Sequence, residues 1–417
     1  MNDGITAFFR TASFNDYEAL IGAETAERIR LKAKRLRDLH VINISSTFYG
    51  GGVAEILSSI TLLENSLGLR SDWRLIQGSP DFFSVTKEIH NALQGATIDL
   101  SEIKKKVYQQ GVYYNSLRMD LTADIVLVHD PQPLPMITHY RHVCPWIWRC
   151  HIDLTRPHEG IWKYLRPLVE EYDGVIVSLP EYHRPITVPQ FDFLPAIDPF
   201  TPKNREISPQ EAKARLASYG IPDDLPIVTQ ISRFDRWKDP EGVIRAFKIA
   251  RREVDATLVL LGDVATDDPE GQAVFESLLG AKEERIIILT AEDTALVNAL
   301  QRTATVVMQK SLREGFGLTV TEAMWKGAAV IGGDCGGIRK QIIDGQNGFL
   351  VASDEAAAKR LVQLLKDPAL RHRLGKKAHE TVRRNFLMSR LVEQYLDLFS
   401  SFEQRFTPHP PKNRPTL

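Results

Sequence analysis

The sequence predicts an α/β protein built as two doubly wound parallel-sheet domains, and three observations predict it. Short runs rich in β-branched residues alternate with helix-compatible stretches through both halves of the chain, the rhythm of parallel strands joined by crossover helices. A proline-rich, polar stretch without periodicity, residues 195–208, separates the halves. The chain has 417 residues, and at about 150 residues per domain that length calls for two or three domains and excludes a single small binding module.

In the first half the expected strands are residues 41–44, 125–129, 145–150 and 175–178. In the second half they are residues 227–232, 257–261, 285–290, 305–309 and 329–331. A helix is expected from about Val53, directly after Gly50, Gly51 and Gly52. Another opens at Ser208-Pro209-Gln210-Glu211, a capping box with proline at the first helical position, and closes at Gly220. Asp239-Pro240 opens a third in the same manner, and from Asp354 the chain reads as consecutive helices broken at Asp367-Pro368, before a proline-rich tail at 408–411. The expected domains are residues 1–200, residues 201–385, and a terminal helix with tail, 386–417, returning toward the N-terminal domain.

Composition narrows the function classes. With 43% hydrophobic and 25% charged residues, the chain can bury large cores and is neither disordered nor coiled coil. Lys+Arg 52 against Asp+Glu 53 leaves a net charge of −1, so nothing draws the whole molecule to nucleic acid or to an anionic membrane. Cys144, Cys150 and Cys335 have neither metal-ligand nor redox spacing, as expected in a reducing cytosol. The first residues, Met1 to Gly4, lack a basic segment and an apolar run, and no apolar strip reaches membrane length, so a soluble cytoplasmic protein is expected.

Any anion site must therefore be a local constellation, and three stretches could supply one. Gly51 and Gly52 precede a helix, where backbone amides can approach an anion; a tight strand-to-helix turn explains them equally well. The third glycine of a dinucleotide fingerprint would fall at Glu55, which disfavours an NAD-dependent oxidoreductase. Arg233 and Lys238 lie in the loop after strand 227–232, on the ligand side of a doubly wound sheet. They could hold a diphosphate, or be two solvated surface cations. The third stretch runs from Glu314 through Gly315, Phe316, Gly317 and Leu318 to Glu322. Its glycines could present amides at a helix start, Glu314 could accept sugar hydroxyls and Glu322 both hydroxyls of a ribose. Paired carboxylates also suit a glycosidase, and a helix-surface acid is the plain alternative for Glu322.

Taken together, Arg233 with Lys238, and Glu314 with Glu322 separated by seven residues, resemble the donor-site signature of the retaining glycosyltransferases of family 4. The likeness extends through 323–327, 332–338 and 344–349, although Ser232 stands where many members carry glycine. The resemblance implies the GT-B fold: two Rossmann-like domains facing across a cleft, with a C-terminal helix packing across both. It implies that Arg233 and Lys238 hold the donor diphosphate, that Glu322 binds ribose, and that Glu314 contacts the transferred sugar. Gly51, Gly52, Gly315, Phe316, Gly317 and Leu318 complete the donor site. Residues 128–135 and 148–155 are similar to segments of the glycosyltransferring trehalose synthases and the related trehalose phosphorylases. By that likeness His151 touches the transferred glucose and is counted catalytic with Arg233, Lys238 and Glu314. Asp130, Gln132, His151 and Asp153 then face the acceptor.

The expected reaction is reversible, retaining transfer of glucosyl from a nucleotide sugar, UDP- or ADP-glucose, to glucose, giving trehalose. Phosphorolysis of trehalose, transfer to a different acceptor by another family 4 hexosyltransferase, and a non-catalytic sugar-binding role on the same fold are the alternatives. No Asp-x-Asp occurs, so no intrinsic metal site and no required cofactor are expected; added divalent cation would act by pairing with free nucleotide. The implied partners are small molecules, with neither nucleic acid nor membrane among them, and a homodimer is compatible with the sequence.

Overall fold

The computed structural model describes residues 13–47, 51–262, 269–280 and 283–402. Gly50 of the glycine-rich turn, the first four residues and the proline-rich tail lie outside them. The chain forms two compact units, residues 1–194 with 389–417, and residues 195–388.

The first unit holds strands β1 (His40–Ser45), β2 (Arg70–Leu75), β3 (Ile125–His129), β4 (Trp146–Arg149), β5 (Gly174–Val177) and β6 (Gln190–Asp192). They form one six-stranded sheet in the order β2-β1-β3-β4-β5-β6, with every pairing parallel. The second unit holds β7 (Ile227–Ile231), β8 (Thr257–Gly262), β9 (Ile286–Thr290), β10 (Val306–Gln309), β11 (Val330–Gly333) and β12 (Phe349–Val351). Their order is β12-β11-β10-β7-β8-β9, again all parallel.

All nine strands expected from the sequence are present: eight are central parallel strands, covered on both faces and read as continuous apolar runs, and the ninth, edge strand β9, carries the run Ile286-Ile287-Ile288-Leu289. Three more were not legible: β2, β6 and β12. Each is a sheet edge, where a strand needs less apolar length and can be short or polar. Arg70–Leu75 is mostly half-buried, and Gln190–Asp192 and Phe349–Val351 have three residues each.

The helix starts follow from capping chemistry. Ser208 accepts from the Glu211 amide at 3.1 Å ahead of the helix Pro209–Ser218. The reciprocal half of that box is not made, since the Glu211 carboxylate pairs with Arg205 at 2.8 Å. Asp239 caps the helix Pro240–Ala250 from the left-handed region, at φ 50°. The consecutive helices Asp354–Lys366, Pro368–Asn385 and Met388–Phe402 follow, the first two separated by Asp367, which accepts from the Leu370 amide. Around Trp146, Trp148, Tyr108 and Phe82 the first unit packs its core, and around Phe247, Leu258, Met308 and Leu361 the second packs another.

Candidate active site

Each sheet has one place where the winding reverses, and there the loops leaving neighbouring strands diverge into a crevice at the carboxyl ends. In the second unit that place lies between β7 and β10. The loop after β7 carries Arg233 and Lys238, and the loop after β10 carries Lys310 to Gly317, so topology alone brings the two stretches together.

Local contacts then fix the side chains. Asp235 accepts from the amides of Trp237 at 2.9 Å and Lys238 at 3.1 Å, and Gln230 donates to the Lys238 carbonyl at 2.7 Å. The guanidinium groups of Arg236 and Arg313 each lie over the Trp237 ring, 4.6 Å from its centroid, while the Leu312 amide donates to the Trp237 carbonyl at 2.8 Å. These contacts tie the two loops together. Across them the Lys238 ammonium donates to Glu314 Oε2 at 2.5 Å, and Ser311 Oγ reaches the same oxygen at 3.3 Å. The Arg233 side chain is 61% exposed, with Asp235 at 3.5 Å. Behind them Lys310 is buried against Asp239 and Asp354.

Gly317 precedes the helix Leu318–Trp325 at φ 86°, a conformation open chiefly to glycine. Gln341 holds this entry from below. Its Nε2 donates to the Phe316 carbonyl at 2.6 Å, and its Oε1 accepts from Thr321 Oγ1 at 2.7 Å. The Phe316 ring is buried edge-on against Phe386, so only its backbone can serve a ligand. Glu322 has no solvent exposure, which removes the surface-acid alternative. The Lys203 ammonium lies 2.8 Å from its Oε1, and among the described residues neither carboxylate oxygen accepts a well-directed hydrogen bond.

In the first unit the reversal lies between β1 and β3. Gly51, at φ 77°, and Gly52 open the helix Gly51–Ser66. Asp130, at φ 63°, follows β3 and accepts from the His151 amide at 2.7 Å, while its carbonyl takes the Trp148 indole N–H at 2.9 Å. Burial raises the Asp130 carboxyl to about 7, against the pull of the His151 amide and of Arg149. Asp130 thus builds the wall that presents His151. His151 Nε2 meets His129 Nδ1 at 3.0 Å, and His129 Nε2 meets Asn43 Oδ1 at 3.0 Å. Burial and the Arg149 charge hold His129 down to about 3 and His151 well below the usual histidine range. Both rings are neutral at ordinary pH. Among the described residues Gln132 Oε1 is buried without a partner, and Asp153 accepts from the Thr155 amide at 2.8 Å.

Asn43, His129, Lys203, Trp237 and Gln341 were missed as functional residues. Lys203 lies in the stretch read as a linker and Trp237 in a loop read for its charges; Asn43 sits in β1, Gln341 ends the short helix Ile338–Gln341, and His129 lies in the stretch 128–135, which was read for Asp130 and Gln132. Among the described residues no group of three or more His, Cys, Asp or Glu is placed to hold a metal ion, and no helix is long and apolar enough to cross a membrane.

Residues 43–184 match the family described as trehalose synthase, N-terminal domain, and residues 212–381 match glycosyl transferases group 1. The trehalose synthase of Pyrococcus horikoshii is 42% identical over 401 residues, covering 93% of this chain and 95% of that protein. Among solved structures, the UDP-forming α,α-trehalose-phosphate synthase of Burkholderia xenovorans in complex with glucose 6-phosphate superposes with a TM-score of 0.70 at 13% identity, covering 87% of this chain and 100% of that one. Anabaena HepE in complex with UDP and glucose does so with a TM-score of 0.64 at 16% identity, covering 87% and 100%. These two likenesses concern the fold, which is GT-B.

Proposed function

The chain belongs to the trehalose synthase family of glycosyltransferases, and on that premise we propose how its residues make trehalose from a nucleoside-diphosphate glucose and glucose. The enzyme is a hexosyltransferase that forms trehalose reversibly. The finer assignments are our reading. Departure of the nucleoside diphosphate builds negative charge on its phosphate oxygens, while the glucosyl carbon gains oxocarbenium character. Arg233 and Lys238 take up the diphosphate charge, and the amides of Gly315 to Leu318 at the helix entry add to them. Glu322 receives the ribose hydroxyls, and Glu314 and His151 orient the transferred glucose. Acceptor glucose, received near Asp130, Gln132 and Asp153, attacks from the face the diphosphate leaves, whose oxygen takes the proton, so the anomeric configuration is retained.

One observation carries this reading: the Lys238–Glu314 ion pair beside exposed Arg233, at the winding reversal of the second sheet. Without ligand the ammonium and carboxylate satisfy each other; a diphosphate and a sugar hydroxyl replace each partner for the other. A cytoplasmic setting fits the three free cysteines.

A product assay tests it. UDP-glucose or ADP-glucose with glucose should give trehalose, and trehalose with UDP or ADP should give the sugar nucleotide. Conversion of trehalose by inorganic phosphate but not by nucleotide would establish phosphorolysis instead. Arg233→Ala with Lys238→Ala should lower turnover by roughly 10²–10³, the usual loss when a transition-state donor is removed. Undiminished turnover in that double variant would overturn the assignment. Activity is expected to persist in excess EDTA.

A further inference from the structure

A file of buried polar side chains crosses the first unit from the helix Gly51–Ser66 to the end of β4, and the reaction described above uses only its last member. Glu64, Ser71, Asn43 and His129 are each 5% exposed or less. Buried polar groups in a sheet cost stability unless every one is paired, and apolar residues would fill the same space without that cost. Here each of the four has a partner among the described residues. Ser71 Oγ donates to Glu64 Oε2 at 2.6 Å, and Asn43 Nδ2 donates to Ser71 Oγ at 3.4 Å. Asn43 Oδ1 then faces His129 Nε2, and His129 Nδ1 faces His151 Nε2, both at 3.0 Å.

The direction of this file follows from valence. An ionised carboxylate can only accept, so Ser71 must spend its single proton on Glu64 and can only accept from Asn43. The Asn43 amide nitrogen therefore faces Ser71 and its oxygen faces His129. That oxygen requires a proton on His129 Nε2. A neutral His129 then has a bare Nδ1, which requires a proton on His151 Nε2. A neutral His151 is left with a bare Nδ1, and among the described residues that nitrogen has no partner. We propose that Glu64, Ser71, Asn43 and His129 are positioning residues that fix the tautomer of His151, leaving its Nδ1 lone pair to accept a hydroxyl of the transferred glucose. The catalytic part of this inference rests on the role given to His151 above; the tautomer does not.

With Glu64 protonated the whole file could run the other way, so the direction belongs to the ionised carboxyl. Its titration is felt by Ser71 and by the Tyr395 phenol, and the two rings at the far end feel Arg149.

The test reads ring-nitrogen resonances of ¹⁵N-histidine-labelled, ligand-free protein at about pH 8.5, above the shifted Glu64 value of about 7. The His151 signals are identified by their loss in His151→Gln. Wild type should carry its proton on Nε2 alone. Glu64→Gln, whose amide can donate as well as accept, should show both tautomers. His129→Leu should lose the bias and lower kcat roughly 10- to 100-fold, the usual cost of removing a group that orients an active residue. His129→Gln, which keeps an acceptor toward His151, should recover part of it. His129→Leu combined with His151→Ala should be no slower than His151→Ala alone. A proton on Nδ1 in wild type, or an unchanged single tautomer in Glu64→Gln, would overturn the proposal. So would additive losses in the double variant. Should His129→Leu fail to fold, Glu64→Gln, altered at one group far from the ring, still decides it. Full activity in His151→Ala would overturn the role of that ring in transfer, and with it the file's link to catalysis.

Discussion

Glu64 and Glu322 are both carboxyls shut away from solvent, yet their surroundings set them opposite tasks. Among the described residues the Glu64 carboxyl is hydrogen-bonded only by the Ser71 hydroxyl, and burial raises it from 4.5 to about 7. Between those values the folded protein keeps a proton that the unfolded chain has released, so this stability is fully present below about pH 4.5 and is lost as the pH climbs through 7. Glu64→Gln should therefore gain stability relative to wild type as the pH rises, by up to about 3 kcal/mol between pH 5 and pH 8. Urea midpoints at the two pH values measure it, and a gap that fails to widen would refute it. Glu322 instead has the Lys203 ammonium at 2.8 Å, and Lys203 is 19% exposed. Lys203→Met strands the carboxylate and should cost about 3 kcal/mol. Adding Glu322→Gln should restore most of that in the same urea experiment while abolishing donor binding; equal stability of the single and double variants would show that the pair is not coupled.

The entry to the helix Leu318–Trp325, which we propose receives the donor, has other backbone lying flush against it. A Cβ on Gly337 would stand 2.4 Å from Phe316 Cα and 2.8 Å from the Gly315 carbonyl, so neither can yield without moving the entry. Gly337→Ala should raise the KM for the sugar nucleotide about tenfold or more, equivalent to about 1.4 kcal/mol of lost binding. Gly345 makes the control, at φ 72° with nothing within 4 Å of its Cβ. Gly345→Ala should cost about 1 kcal/mol of stability and leave KM alone. Equal KM effects in both would mean the entry is not what Gly337 protects. At this scale the sequence was most legible. Val306 to Gln309 and Thr257 to Leu261 announce themselves as doubly covered strands, whereas edge strand Arg70–Leu75, half-buried and carrying three charges, does not. Residue type and position after a strand marked Arg233, Lys238 and Glu314. No local pattern could mark Asn43, whose partner His129 is 86 residues away, or Lys203, whose partner is a helix residue over 100 positions on.

At the scale of the molecule, the first unit is discontinuous: it takes residues 1–194 and then Ser389 onward. The terminal helix is integral to it. Leu391, Val392, Tyr395, Leu396, Leu398, Phe399 and Phe402 are each 5% exposed or less. Tyr395 packs edge-on against Phe193 at 5.1 Å, and Glu393 pairs with Arg28 and Lys32, each at 2.8 Å. At about 1.5–3 kcal/mol for each large apolar side chain, the helix contributes on the order of 10 kcal/mol, as much as the whole net stability of many domains. A chain ending at Met388 should lose amide-exchange protection throughout residues 13–194 and keep it in residues 195–388; unchanged protection in the first segment would contradict this. The same discontinuity orders events at birth. Residues 195–388 leave the ribosome as one uninterrupted stretch and can fold while synthesis is still under way. The earlier-made portion must wait for residues 389–402, synthesised after the second unit, to deliver its missing helix, so folding proceeds from the second unit to the first, against the order of synthesis.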